Sequence, residues 1–222
     1  MIIQKYTILL IAICGTLTIS PSAFGNFTED FNSASLDPSW SISGEGHTGI
    51  NNGSYVFSDA KDNDGTELYR KIQIVPSGSF ETTLTTTFKK FTSPNTKTAM
   101  TWSLNGHNGS VSIIYNSYGK LELRHNDFDG QNEGLATIDN MAISDASTVT
   151  FTLQYNSDND TLKANYSENG NVVEIYNGKG ASDSAFEDFF SLRTTAKLFK
   201  FSESPIDQAT VLIDEWNMSD SL

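Results

Sequence analysis

The chain has 222 residues and carries 14 Lys and Arg against 27 Asp and Glu, a formal net charge of −13. This surplus of acid excludes a nonspecific nucleic-acid binder, because backbone phosphates are held by positive groups. It also argues against unaided capture of acidic polysaccharides or anionic lipid.

The first 25 residues are typical of a secretory signal peptide. Lys5 supplies a positive start, an apolar run follows over 7–13, and Ala23-Phe24-Gly25 supplies a small-residue cleavage site. The apolar run is shorter than the roughly 20 residues that a membrane-spanning helix needs, which disfavours an anchor. We expect removal of residues 1–25, secretion or periplasmic localisation, and no membrane insertion after the signal is removed.

Cys14, the one cysteine of the chain, lies inside this segment. The residues before it, Ile11-Ala12-Ile13, are not the small residues of a lipoprotein signal, so lipid anchoring is a minor alternative. No cysteine is left in the expected mature domain over 26–222, which must therefore be held by its core.

Alternation of apolar and polar residues with a period of two recurs along the whole mature chain and predicts half-buried antiparallel strands. Turn residues such as Asn52-Gly53 and Asn169-Gly170 fall between the predicted strands and favour hairpins. Twelve strands imply a two-layer all-β body. They are predicted over 27–31, 54–57, 68–75, 80–88, 98–104, 111–115, 120–125, 149–155, 162–166, 172–176, 196–201 and 211–218.

One short helix is predicted over 182–190, where Ser184 and Glu187 have the spacing of a capping box. The sequence contains no internal repeat and no Pro/Gly-rich linker between two halves. A single domain is the simplest organisation, and two small subdomains are the alternative.

Several stretches, in this order, resemble the concanavalin A-like lectin/glucanase superfamily. Residues 27–32 and 36–40 (FTEDFN and LDPSW) are similar to its opening, 51–57 (NNGSYVF) to the following edge strand, and 209–216 (ATVLIDEW) to the final strand. The rhythm of 100–125 resembles laminin G-like members. The resemblance implies a two-sheet antiparallel jelly-roll sandwich whose first and last strands pair, with carbohydrate bound on the concave sheet.

Glucanases of this superfamily carry their acids as E-x-D-x-x-E, because a retaining mechanism needs two carboxyl groups about 5 Å apart. In the nearest segment here, 122–127, Arg124 stands where the middle acid would be. A noncatalytic member is therefore favoured. The alternative is a divergent glycoside hydrolase using Glu122 and Asp127, or a polysaccharide lyase, although the other strands that lyases need are missing.

Sugar binding requires flat aromatic rings beside polar groups that satisfy hydroxyls. Trp102 is the favoured stacking residue, because it lies in the central meander and precedes Asn105. The competing interpretation of each aromatic residue is core packing. The predicted ligand-binding residues are Trp102, Asn105, Tyr115, Glu122, Arg124 and His125.

A structural calcium ion is the cofactor that the resemblance suggests, because related jelly rolls clasp an ion between the last strand and the first ones. Asp214 occupies the matching position, with Asp30 and the Gly53 carbonyl as companions. The alternative is that Asp214 only accepts hydrogen bonds.

These observations predict a secreted, lectin-like module that binds a polysaccharide or glycan without catalysis. Two alternatives stay open: the divergent enzyme of the same fold, and a structural domain of an extracellular assembly without a small ligand.

Overall fold

The structure, a computed structural model, is all-β in the part of the chain that it describes. The predicted signal peptide and the predicted helix over 182–190 lie outside that part. No helix long and apolar enough to cross a membrane occurs among the described residues. The residues that the structure describes are 26–44, 47–58, 65–72, 79–91, 98–106, 109–127, 132–179, 192–200 and 209–219.

Eight strands form the first antiparallel sheet, in the order β13-β12-β11-β6-β15-β4-β3, with β1 also paired to β15. Their bounds are β1 Phe27–Glu29, β3 His47–Asn51, β4 Ser54–Ser58, β6 Phe80–Lys89, β11 Thr148–Asn156, β12 Thr161–Glu168, β13 Asn171–Lys179 and β15 Thr210–Ser219.

Seven strands form the second antiparallel sheet, in the order β10-β9-β8-β7-β14-β5-β2. Their bounds are β2 Trp40–Gly44, β5 Thr66–Ile72, β7 Thr98–Asn105, β8 Gly109–Asn116, β9 Leu121–Asp127, β10 Asn132–Ile138 and β14 Leu192–Lys200. Two stacked sheets confirm the predicted antiparallel sandwich.

The core lies between the sheets and follows directly from the alternation in the sequence. In β6, Phe80, Leu84 and Phe88 are buried while the residues between the inward positions are half-buried or exposed. Successive strand residues point to opposite faces, so each strand gives every second side chain to the core. The outward positions are therefore identifiable from the register.

The first and last strands of the domain pair with each other, as the resemblance implied. Phe27 lies opposite Met218 and Glu29 opposite Trp216. The ring of Trp216 lies 4.9 Å from that of Trp40, whose indole nitrogen donates a 3.0 Å hydrogen bond to Glu29. The ends of the described domain are thus joined both by the β ladder and by buried aromatic contacts.

Fifteen strands occur among the described residues, where the sequence predicted twelve. The three additional strands are β2, β3 and β10. In β10 (NEGLATI) the register shifts between Gly134 and Ala136, and this irregularity interrupts the alternation by which a strand is recognised.

The hairpin turns predicted at Asn-Gly pairs are confirmed by left-handed backbone angles. Asn52 has φ 51° and Gly53 φ 79°, and Asn169 and Gly170 have φ 52° and 79°. Two consecutive positive φ values are what the tight turn between twisted strands requires.

Candidate functional site

The six predicted ligand-binding residues lie on three neighbouring strands, β7, β8 and β9. Alternation divides them between two faces of the sheet. The side chains of Asn105, Glu122 and Arg124 lie on the outer face, and those of Trp102, Tyr115 and His125 are buried on the core side.

The proposed stacking role of Trp102 needs correction. Its relative exposure is 0%, as is that of Tyr115, and both rings belong to the main hydrophobic cluster. A ring enclosed by the core has no face to offer a sugar. Burial also raises the pKa of the Tyr115 hydroxyl. His125, 7% exposed, likewise lies beneath the sheet surface.

A continuous row of side chains crosses the outer face of the seven-stranded sheet. Tyr69 pairs with Thr195, Thr195 with Ser103, Ser103 with Ser112, and Ser112 with Arg124. Strands are spaced about 4.8 Å apart, so the four steps span about 19 Å. Three small hydroxyl residues therefore lie between an aromatic ring and a guanidinium group, and we call this feature the hydroxyl groove.

The floor of the hydroxyl groove, formed by Thr195, Ser103 and Ser112, is less exposed than Arg124 at one of its ends. Ser103 and Thr195 point away from the core, yet they are only 8% and 7% exposed. The Oγ atoms of Ser103 and Ser112 lie 2.9 Å apart within hydrogen-bond distance. Small side chains between long ones create a depression, and their hydroxyl groups offer both donors and acceptors.

A second row beside the floor is rich in amide groups. Asn105 pairs with Ser110 and Ser110 with Asn126. The amide nitrogen of Asn105 donates 3.2 Å hydrogen bonds to the Thr195 hydroxyl and to the Arg193 carbonyl. These bonds fix the Asn105 amide at the edge of the groove.

Charged side chains on β9, together with Lys120 just before it, form one end of the hydroxyl groove. Glu122 forms an ion pair with Lys120 and a 2.6 Å ion pair with Arg124. Burial alone would raise the pKa of Glu122, but the hydrogen bond from Lys120 and the positive charges of Arg124 and Lys120 outweigh it and lower this pKa. Glu122 therefore stays ionised at neutral pH. Open space lies across the strand at Gly134, the residue opposite Arg124.

Tyr69 and Arg193 form the other end. The Arg193 guanidinium lies 3.8 Å from the centre of the Tyr69 ring and also pairs with Glu67. Partial burial lowers the pKa of Arg193. The side chain stays charged, because a guanidinium group is not deprotonated in proteins. Stacking and ion pairing together restrict the ring and the guanidinium.

The two residues of the alternative catalytic pair occupy positions far apart along their strand. Glu122 and Asp127 are five residues apart on β9, about 17 Å along a strand. Retaining hydrolysis needs carboxyl groups about 5 Å apart and an acid with a raised pKa. The lowered pKa of Glu122 is the opposite of that requirement.

The predicted calcium ligands lie near the turn between β3 and β4. A Cβ on Gly53 would lie 2.8 Å from the Asn32 side-chain oxygen, and the Asp30 carboxylate accepts a 3.0 Å hydrogen bond from the Asn32 backbone N–H. The two oxygens of Asp214 each accept a 2.7 Å hydrogen bond, one from Ser54 and one from Thr87.

These contacts show the hydrogen-bonding role of Asp214 directly. Among the described residues, no group of three or more His, Cys, Asp or Glu side chains is placed to hold a metal ion. Asp214 is a single carboxylate whose two oxygens accept hydrogen bonds from hydroxyl groups, so a calcium ion there would need backbone carbonyl oxygens, such as that of Gly53, for its other ligands. The calcium ion stays a prediction of the resemblance.

A shallow cleft of about 440 Å³ lies at β3 and β4, at the edge of the eight-stranded sheet. Thr48, Ile50, Asn51 and Val56 contribute to its lining. No charged side chain lines it, and it lies on the eight-stranded sheet, apart from the predicted ligand residues.

Sequence reasoning missed Tyr69, Arg193 and the hydroxyl floor. The signal for Tyr69 was available, because Leu68 and Ile72 mark the buried phase of β5 and place Tyr69 on the other face. The predicted strand begins at residue 196, after Arg193, so the sequence did not predict on which face of the sheet the Arg193 side chain lies. The floor follows only from strand order.

No protein-family model matches the chain, and no curated protein matches its sequence. Its structure is similar to solved lectins. Lectin I-B4 from Griffonia simplicifolia, in a metal-free form, has a TM-score of 0.63 and 13% identity, covering 89% of this chain and 99% of that one. The potassium-bound carbohydrate recognition domain of Emp46p has a TM-score of 0.67 and 13% identity, with coverages of 90% and 98%.

Winged bean acidic lectin, complexed with methyl-α-D-galactose, has a TM-score of 0.65 and 11% identity, covering 88% of this chain and 98% of that one. At these identities the agreement shows the fold alone. The described chain has the concanavalin A-like lectin fold.

Proposed function

We propose that this concanavalin A-like domain is a secreted, noncatalytic module that binds an oligosaccharide segment of a glycan in the hydroxyl groove. The observation that carries the proposal is the row from Tyr69 through Thr195, Ser103 and Ser112 to Arg124. A length of about 19 Å is suited to several consecutive sugar rings rather than one.

The chemistry of the row complements a sugar chain. Sugar hydroxyls need partners that both donate and accept, and the hydroxyls of Ser103, Ser112 and Thr195 do both, with the Asn105 amide beside them. Tyr69 adds an apolar ring surface for sugar C–H groups. Because ion pairs already hold the charged side chains at both ends of the hydroxyl groove, binding requires little reordering of side chains.

Absence of catalysis is part of the proposal. The spacing and the low pKa of Glu122 argue against its use as a general acid, and its carboxylate is engaged by two cations. In the proposed site Glu122 orients Arg124. Secretion rests on the signal-like segment over 1–25, which the fold does not address.

Replacing Tyr69 with alanine tests the aromatic end of the hydroxyl groove. We expect Tyr69→Ala to weaken glycan binding about two- to thirteenfold, which corresponds to the loss of one aromatic contact of about 0.5–1.5 kcal/mol. Binding to a panel of neutral and acidic oligosaccharides is measured by isothermal titration calorimetry.

Tyr176→Ala is the matched control, because Tyr176 lies on β13 of the other sheet. Equal weakening by both variants would contradict the assignment of the groove as the binding site. If the wild-type domain binds no member of the panel, the proposed function itself fails.

Calcium is proposed as a structural cofactor near Asp214 on the strength of the resemblance. An ion at ten times its dissociation constant stabilises a domain by about 1.4 kcal/mol, which raises the Tm of a chain this size by about 3–6 °C. We expect this increase when calcium at a few mM is added to EDTA-treated protein.

Asp214→Asn is expected to abolish the increase, and magnesium at the same concentration is expected not to reproduce it. An unchanged Tm in the wild-type protein would leave Asp214 with its hydrogen bonds to Ser54 and Thr87 and would refute the calcium proposal.

A further inference from the structure

Positive charge is concentrated on the outer face of the seven-stranded sheet, in a chain whose net charge is −13. Among the described strand side chains, four cations and two acids, Glu67 and Glu122, lie on this face. The cations are Lys71, Arg124, Arg193 and Lys197; just outside the strands, Lys120 precedes β9 and the exposed Asp139 follows β10.

The opposite face of the sandwich has a small excess of acid. On the outer side of the eight-stranded sheet, four acids and three cations lie at outward strand positions of the described chain. They are Glu81, Glu174, Asp214, Glu215, Lys89, Lys163 and Lys179. The distribution of charge over the two described sheet faces is therefore asymmetric.

Both acids at strand positions of this cationic face are already paired. Glu67 pairs with Arg193, and Glu122 pairs with Lys120 and Arg124. In the described part of the chain, Lys71 and Lys197 have no ion pair, so the face keeps positive charge after internal neutralisation.

Net charge is a poor guide to this surface because salt screens distant charges. The Debye length is about 8 Å at physiological ionic strength, so acids on the far sheet contribute little field at the groove. The expectation from composition, which argued against acidic polysaccharides, used only the sum of charges. The placement of the cations is what a ligand meets.

Arg124 is the residue best placed to contact a ligand charge. Its side chain is 46% exposed, one of its nitrogens bonds Glu122, and open space lies across the strand at Gly134. A guanidinium group presents its donors in a planar fork that matches a carboxylate. Arg193 lies on the other side of the hydroxyl floor with its side chain 40% exposed.

We infer that the glycan bound in the hydroxyl groove is acidic, carrying sugar carboxylates that are received by Arg124 and its neighbouring cations. The inference rests on the proposed glycan-binding function and adds the chemical class of the ligand. Carboxylates spaced along a chain of uronic acids would meet cations at both ends of the groove, while the hydroxyl floor receives the sugar hydroxyls.

The test compares a hexamer of galacturonic acid with the same hexamer after reduction of its carboxyl groups to alcohols. By isothermal titration calorimetry with the full mature domain, we expect the acidic hexamer to bind at least about tenfold more tightly, and the difference to shrink in 0.5 M salt, where screening is within about 4–5 Å.

Arg124→Gln is expected to weaken binding of the acidic hexamer about tenfold, while Lys163→Gln, on the other sheet, leaves it unchanged. Circular dichroism melting checks that both variants fold.

Equal affinities of wild-type protein for the acidic and the reduced hexamer would overturn the inference and leave the proposed function standing. Binding of a single-stranded oligonucleotide with the same dependence on Arg124 would also overturn it, in favour of a general polyanion site. Failure to bind either hexamer or any neutral glycan would refute the proposed function itself.

Discussion

Trp102→Ala is expected to destabilise the domain by about 3–5 kcal/mol, the usual cost of truncating a buried tryptophan. The ring is fully buried, and its strand β7 lies between β8 and β14 in the seven-stranded sheet. At about 2–4 °C per kcal/mol, Tm should fall by about 6–20 °C, measured by circular dichroism.

Trp102→Phe is the matched control. The indole nitrogen of Trp102 has no hydrogen-bond partner among the described residues, so replacement by the smaller phenylalanine ring loses volume but no polar contact. We expect it to keep more than half of the stability that Trp102→Ala loses, with unchanged glycan binding. A Trp102→Phe variant that folds fully but loses glycan affinity would show that Trp102 belongs to the binding site.

The sandwich could be predicted from the sequence because its signal is local. Alternation in β6, β11 and β15 marks the buried side chains, and Asn-Gly pairs mark the hairpins. The pairing of β1 with β15 joins residues about 190 positions apart. Nothing local specifies that contact, so its prediction depended on the resemblance to a known superfamily.

The site was predicted in part. Residues 102–125 lie on three of the five strands that carry the hydroxyl groove, and three of the six predicted residues, Asn105, Glu122 and Arg124, lie on its face. The error at Trp102 came from treating an aromatic residue beside polar neighbours as exposed, although Met100 and Leu104, two residues to either side, share its phase and mark it as buried.

The hydroxyl floor could not be predicted from β7 and β8 alone. Thr195 belongs to β14, which reaches the groove only because this late strand inserts between β7 and β5. Serine and threonine at outward positions are common in strands, so only their juxtaposition in one row is informative. That juxtaposition is a property of sheet order.

Filling the floor of the groove is expected to have the largest effect on binding. Ser103→Tyr places a ring between Ser112 and Thr195, where a sugar chain would lie. We expect affinity for glycans to fall at least about 100-fold, equivalent to about 2.7 kcal/mol. Tyrosine is favoured in strands and this position points away from the core, so the fold should persist.

Thr85→Tyr is a close control for this variant. Thr85 lies on central strand β6 of the other sheet, and its hydroxyl is 3.0 Å from that of Thr150, much as Ser103 faces Ser112 at 2.9 Å. Both changes place the same ring on an outward hydroxyl pair. They differ in the face of the sandwich that they block.

The most direct measurement is a glycan array of neutral and acidic oligosaccharides probed with the wild-type domain and these two variants, each verified as folded by circular dichroism. Our account predicts that wild type and Thr85→Tyr bind the same glycans and that Ser103→Tyr binds none. Retention of the full wild-type pattern by Ser103→Tyr would contradict it, because a blocked groove cannot hold a sugar chain.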